Sequence, residues 1–116
     1  MADVFLSKAV DLTTTNATVV YTVPTSDDSA VPKISPTTAL LKSIRVANDS
    51  GSADTITLTI TRGSAVFAIE TVEAVAAQTA IEVLSQPMVL QEADIIKATA
   101  ATANRLHVIL SVMEIT

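Results

Sequence analysis

The sharpest hydrophobic pattern in the chain runs over residues 54–61, Asp-Thr-Ile-Thr-Leu-Thr-Ile-Thr. Ile56, Leu58 and Ile60 share one side of an extended backbone, and Thr55, Thr57, Thr59 and Thr61 share the other. A helix would scatter the same apolar residues around its circumference. The alternation therefore predicts a strand with one buried and one wettable face. Residues 105–115 alternate differently. Leu106, Val108, Leu110 and Val112 form one face, while His107, Ile109, Ser111, Met113 and Ile115 form a second that is also largely apolar. That pattern predicts a central strand, or one covered on both sides by the other sheet or by a partner subunit.

Shorter runs predict further strands at 4–8, 17–23, 39–47, 65–71, 79–84 and 94–100, rich in Val, Ile, Thr and Tyr. The Ala-rich stretch 71–80 is the one place where a helical turn competes with strand. Asp49-Ser50-Gly51-Ser52 and Arg62-Gly63-Ser64 use the only two glycines and read as hairpin connections. Residues 92–94 and 102–104 read as turns. Pro24, Pro32 and Pro36 interrupt any ladder, so 24–36, with Asp27 and Asp28, reads as a long surface loop. About eight short strands with regular turns predict an all-β, antiparallel β-sandwich, jelly-roll or Ig-like, occupying residues 1–116 as one domain.

Composition narrows the chemistry. With no cysteine, disulfides and thiolate metal sites are excluded. The formal net charge is −5, and the seven Lys and Arg residues form no run. Binding to a phosphate backbone needs clustered cations, so direct nucleic-acid binding is not expected. No apolar run approaches the ~18 residues of a membrane span, so no membrane partner is expected. The N-terminus lacks a signal-peptide pattern, and a cytoplasmic site of synthesis and assembly is expected. Charged residues are 16% of the chain and hydrophobic ones 49%. That balance fits either a small-residue, Thr-rich surface or a surface partly covered by other subunits.

No catalytic constellation emerges, so the expectation is a non-enzyme without cofactor. His107 is the only histidine, which rules out a multi-His metal site within one chain. On a strand between apolar neighbours it reads as a packed or surface imidazole. No serine sits in a nucleophile elbow, and two isolated glycines cannot cradle a phosphate. Asp27 with Asp28, Asp49 with Asp54, and Glu92 with Asp94 are carboxylate pairs at turns. None has the spacing of a dedicated calcium loop, and turn solvation is the simpler role. Phe5, Tyr21 and Phe67 are the only aromatics, too few for stacking platforms. The sequons at Asn16 and Asn48 read as chance matches in a Thr- and Ser-rich chain.

Several segments carry a resemblance. They are Met1-Ala2-Asp3-Val4-Phe5, Thr18-Val19-Val20-Tyr21-Thr22-Val23-Pro24 and Ile44-Arg45-Val46-Ala47-Asn48-Asp49-Ser50. Later come Ile81-Glu82-Val83-Leu84, residues 88–97 (MVLQEADIIK) and Ser111-Val112-Met113-Glu114-Ile115-Thr116. Together they resemble small virion proteins of tailed bacteriophages. Similar proteins often carry Pro and Gly before the Ile81 strand and Gly in place of Ala93. The resemblance implies a β-sandwich subunit of a virion, foremost a capsid decoration (cement) protein that stabilises the head lattice. A tail- or neck-associated or receptor-binding module is the alternative. Implied partners are the chain itself, as a homo-oligomer such as a trimer, and major capsid or tail proteins. Candidate partner contacts are Asp27, Asp28 and Pro32 in the loop and His107, Ile109 and Met113 on the last strand.

Overall fold

The computed structural model describes residues 3–25, 29, 31 and 37–115. Among them are nine strands: β1 (Asp3–Asp11), β2 (Thr18–Thr22), β3 (Thr38–Asn48), β4 (Asp54–Arg62), β5 (Ala65–Val75), β6 (Thr79–Glu82), β7 (Met88–Leu90), β8 (Ile95–Ala100) and β9 (Leu106–Ile115). One sheet has the order β1-β9-β3-β6, with β7 also pairing β3; the other has the order β2-β8-β4-β5. Every pairing is antiparallel. The pairs β4:β5, β3 with β6 and β7, β2:β8 and β1:β9 nest around the β4–β5 hairpin. That hairpin is rolled so that β9 also pairs β3 and β8 also pairs β4. This is the jelly-roll form of the expected all-β sandwich.

The innermost hairpin turns at Gly63, whose φ of +62° suits the first position of a tight two-residue loop. From it, β4 alternates as its Thr-Ile pattern predicts. Ile56, Leu58 and Ile60 are buried against the other sheet, and the intervening threonines are half-exposed. On β9 the inward set is Leu106, Val108, Leu110 and Val112, all essentially inaccessible. β9 pairs along its length with β1 on one side and β3 on the other, so it is the centre of its sheet.

β3 stays in step with β9 through a bulge between Leu41 and Ser43, which keeps Leu41 and Ile44 both inward. On the other side of β3, where β6 ends at Glu82, the Ile44 N–H needs an acceptor. The Glu82 carboxylate supplies it at 2.8 Å and also accepts from the Ser43 hydroxyl and the Leu84 N–H. The two sheets are tied by the buried Tyr21 of β2, whose hydroxyl donates to the Glu114 carboxylate of β9. Burial, followed by that carboxylate, pushes the Tyr21 pKa well above the ordinary phenol value.

Three expectations change. β1 extends to Asp11 and β5 to Val75, so 71–75 is strand rather than helical turn. The short β7 adds a strand to the expected eight. The second apolar face of β9 is not covered by the other sheet, which packs only on the Leu106–Val112 stripe.

Three turns hold non-glycine residues in the left-handed region, Gln78 at φ 55°, Ala93 at φ 68° and Asn104 at φ 65°. An L side chain there costs roughly 1–2 kcal/mol, against a glycine entropy penalty of roughly 0.5–1 kcal/mol. Ala93→Gly is therefore expected to raise unfolding free energy by about 0.5–1 kcal/mol, read from the urea midpoint at unchanged slope. In the core, Leu110→Ala should lower it by about 2–5 kcal/mol, while Thr57→Ala on the half-exposed face of β4 should change it by under about 1 kcal/mol.

Candidate interaction surface

Because side chains alternate, the residues left on the outside of the β1-β9-β3 sheet follow from the register that buries the inner stripe. Directly paired positions then form rows across the strands. The first row is Phe5, Met113, Leu40 and Val89, one residue each from β1, β9, β3 and β7. The second is Ser7, Ser111 and Ser43. The third is Ala9, Ile109, Arg45 and Glu82, and the fourth is Asp11, His107, Ala47 and Ala80.

The first row is entirely apolar and faces solvent. Phe5 is 71% exposed and Val89 54%, with Leu40 and Met113 half-buried between them. The Lys42 ammonium lies 5.8 Å from the centroid of the Phe5 ring, close enough for a cation–π contact that holds the ring over the sheet. Between them, Phe5, Ser7, Lys42 and Ser111 line a shallow open depression of about 380 Å³. Such a row fits contact with a flat partner surface better than enclosure of a small ligand.

The fourth row is polar at Asp11 and His107. The His107 ring lies between Asp11, which meets Nδ1, and Asp49, whose carboxylate is 3.0 Å from Nε2. The ring thus joins the end of β1 to the turn after β3. Both carboxylates favour the imidazolium and raise the pKa of His107 above its ordinary 6.5, partly opposed by desolvation. The carboxylates approach opposite ring nitrogens, which is a bridge and not a common ligand set. Among the described residues no group of three or more His, Cys, Asp or Glu is arranged to hold a metal ion.

Two other carboxylates singled out in the sequence, Asp54 and Asp94, serve the turns. Asp54 is buried and accepts from the N–H groups of Thr55 and Thr102, at 2.8 and 3.0 Å. Asp94 is fully buried and takes a bidentate contact from Arg62, at 2.9 and 2.6 Å, plus the Gln91 N–H at 2.7 Å. The Arg62 hydrogen bond leads the causes that hold its carboxyl below the usual range. Asn48 is also buried. Its amide donates to the carbonyls of Ser52 and Val75 and accepts from Ser50, so this sequon is a turn-building position.

Of the candidate contact residues, His107, Ile109 and Met113 come together on the outer face of β9, in alternate positions. Asp27, Asp28 and Pro32 lie outside the described residues. Sequence reasoning missed Phe5, Leu40 and Val89 as members of this surface. Their common feature is cross-strand pairing, which no single segment displays. Comparison of the chain with protein-family models, with curated proteins and with solved structures gave no match. The class defined by the fold and surface is thus a jelly-roll β-sandwich with an apolar strip on one outer sheet face.

Two pH responses follow. The folded-state pKa of His107 is raised, so its stabilising contribution is complete below about 6.5 and is lost as pH rises through the higher folded value. NMR titration should show His107 titrating above 6.5, with Asp11→Asn and Asp49→Asn each lowering its midpoint. Asp94 has the opposite sign. Its contribution is present above the unfolded value near 3.8 and is lost as pH falls through the lower folded one. Acid unfolding should move to higher pH in Asp94→Asn.

Proposed function

We propose that the chain is a structural subunit that docks on a protein lattice through the outer face of the β1-β9-β3 sheet. Specifically, we read it as a capsid decoration protein of a tailed bacteriophage, acting as a homo-oligomer in the virion. The observation that carries the docking reading is the apolar row Phe5–Met113–Leu40–Val89 on the solvent side of the β1-β9-β3 sheet. Antiparallel sheets facing water ordinarily alternate apolar in and polar out. Here four strands each contribute an apolar residue to one line, which is the composition of an interface centre flanked by a polar rim. Ser7, Ser43 and Ser111 on one side supply hydrogen-bonding capacity at low charge. The virion assignment draws on the sequence resemblance.

The reading predicts that purified protein cosediments at saturable stoichiometry with heads of the phage that encodes it. Val89→Glu combined with Met113→Glu should weaken binding by about 100-fold or more, the scale of two interface-centre losses, while the far-ultraviolet circular dichroism spectrum is retained. Heads that bind this double variant as well as the unmodified chain, or that bind neither, would overturn it.

A further inference from the structure

We infer that the outer edge of β1 pairs with β1 of a second copy, in an antiparallel register centred on Phe5. This rests on the reading of the chain as an assembly subunit and names the first contact of that assembly.

Among the described residues, the sandwich leaves strand edges unpaired at β1, at β6 and β7, at β2 and at β5. An edge strand offers unpaired N–H and C=O groups, so the occupant it fits is another extended backbone. Three of these edges are blunted. β6 and β7 are four and three residues long. β2 has five residues and an irregular register between Val19 and Tyr21. β5 is long, but its pairing with β4 shifts twice between Ala68 and Glu73, so only the four residues Ala65–Ala68 pair in regular register there, and Val72 sits at φ 49°. Such bulges and kinks bend an edge away from a new strand. β1 differs. Its nine residues pair with β9 in unbroken one-to-one register from Asp3 to Asp11.

Position along β1 is set by its side chains. Val4 is 49% exposed and Phe5 71% exposed, so adjacent residues leave large apolar groups uncovered on opposite faces of the edge. The candidate antiparallel registers that keep faces matched are centred on single residues. Centring on Lys8 opposes two ammonium groups. Centring on Ser7 sets Lys8 against Leu6, and centring on Leu6 sets it against Val4. Centring on Phe5 pairs Phe5 with Phe5 of the second copy and Val4 with Leu6 of the second copy, twice. Residues 3–7 then share the ladder and Lys8 falls beyond it. Aromatic and aliphatic cross-strand pairs of this kind are the favourable ones. Of these four registers, only this one matches apolar with apolar at 4, 5 and 6.

The resulting two-fold axis is perpendicular to the sheet. Both outer faces stay on the same side, and the apolar row of one copy continues through Phe5 into that of the other. An isologous pair closes as a dimer rather than the trimer that the sequence resemblance suggests.

Since the chain has no cysteine, any disulfide reports the introduced position. Opposed residues in an antiparallel pair have Cα atoms roughly 4.5–5.5 Å apart, inside the disulfide range of roughly 4.4–6.8 Å. Phe5→Cys should therefore oxidise to a cross-linked dimer about tenfold faster than Val66→Cys, an exposed control on β5. The unmodified chain should sediment as a dimer at micromolar concentration. Phe5→Lys should weaken association about tenfold or more with the far-ultraviolet circular dichroism spectrum retained. An unmodified chain that is monomeric overturns this inference together with the oligomeric part of the proposed function. An oligomer that survives Phe5→Lys, or equal cross-linking at positions 5 and 66, overturns the β1 edge alone and leaves the docking face standing.

Discussion

The inward stripe of β9, Leu106, Val108, Leu110 and Val112, is the contact on which the rest of this molecule depends. Those side chains join Ile56, Leu58 and Ile96 of the opposing sheet within one buried core. Since β9 is hydrogen-bonded to both β1 and β3, their registers inherit its parity. A slip of one residue in β9 would turn all four stripe residues outward at once, at a cost of roughly 1.5–3 kcal/mol for each large apolar side chain. Parity is therefore not adjustable. The same constraint sends His107, Ile109, Ser111, Met113 and Ile115 outward, and it is what assembles the apolar row with Phe5, Leu40 and Val89. The position of this outer row is a by-product of the core's register; only its composition is free to vary.

Buried polar groups do the complementary work at the ends of the strands. Asp94, Asp54 and Asn48 are each withdrawn from water, and each satisfies backbone N–H or C=O groups of a turn that would otherwise be unpaired. Arg62 closes on Asp94 between neighbouring strands of one sheet, so the β4 end of the β4–β5 hairpin is tied to the turn before β8. Glu82 accepts from the Ile44 N–H where β6 ends, and from the hydroxyl of Ser43 beside the β3 bulge. Asp54 and Asp94 look in sequence like members of carboxylate pairs available for chemistry. Their placement shows them consumed locally, Asp54 by two backbone N–H groups and Asp94 by Arg62 and the Gln91 N–H.

The strand alternation at 54–61 and 105–115 was legible because each strand's own pattern reports its burial, and a half-buried strand leaves a period-2 signature. The all-β class and the sandwich followed from it. β7 escaped because three residues, Met88, Val89 and Leu90, are too few for a period to register. The 71–75 half of β5 was ambiguous because the register shifts opposite Leu58 and the kink at Val72 break its alternation, and an Ala-rich sequence has little strand preference to reveal. On the candidate surface, Ile109 and Met113 could be named since they belong to one strand with two apolar faces. Phe5, Leu40 and Val89 could not, since their adjacency is a property of register between strands far apart in sequence. His107 was seen as an isolated imidazole for the same reason. Asp11 and Asp49 reach it only once β1 and β3 flank β9.

A charge-poor sandwich with an uncovered apolar row faces a second constraint, which is avoiding adhesion to itself everywhere at once. The edges answer it unequally. β5 presents Val66, Phe67 and Val72 to solvent, the composition of an adhesive strand, yet its two register shifts after Ala68 leave only Ala65–Ala68 in regular pairing there. β2 is short and irregular, and β6 and β7 divide one edge between them. Protection falls on these three and not on the first half of β1, where the backbone is regular and apolar side chains are exposed on both faces. Lys8 then limits the unprotected stretch to the residues before it. A strand left regular up to a single charge, beside a row that extends the same apolar line, is arranged for one specific pairing and against a slipped or extended one.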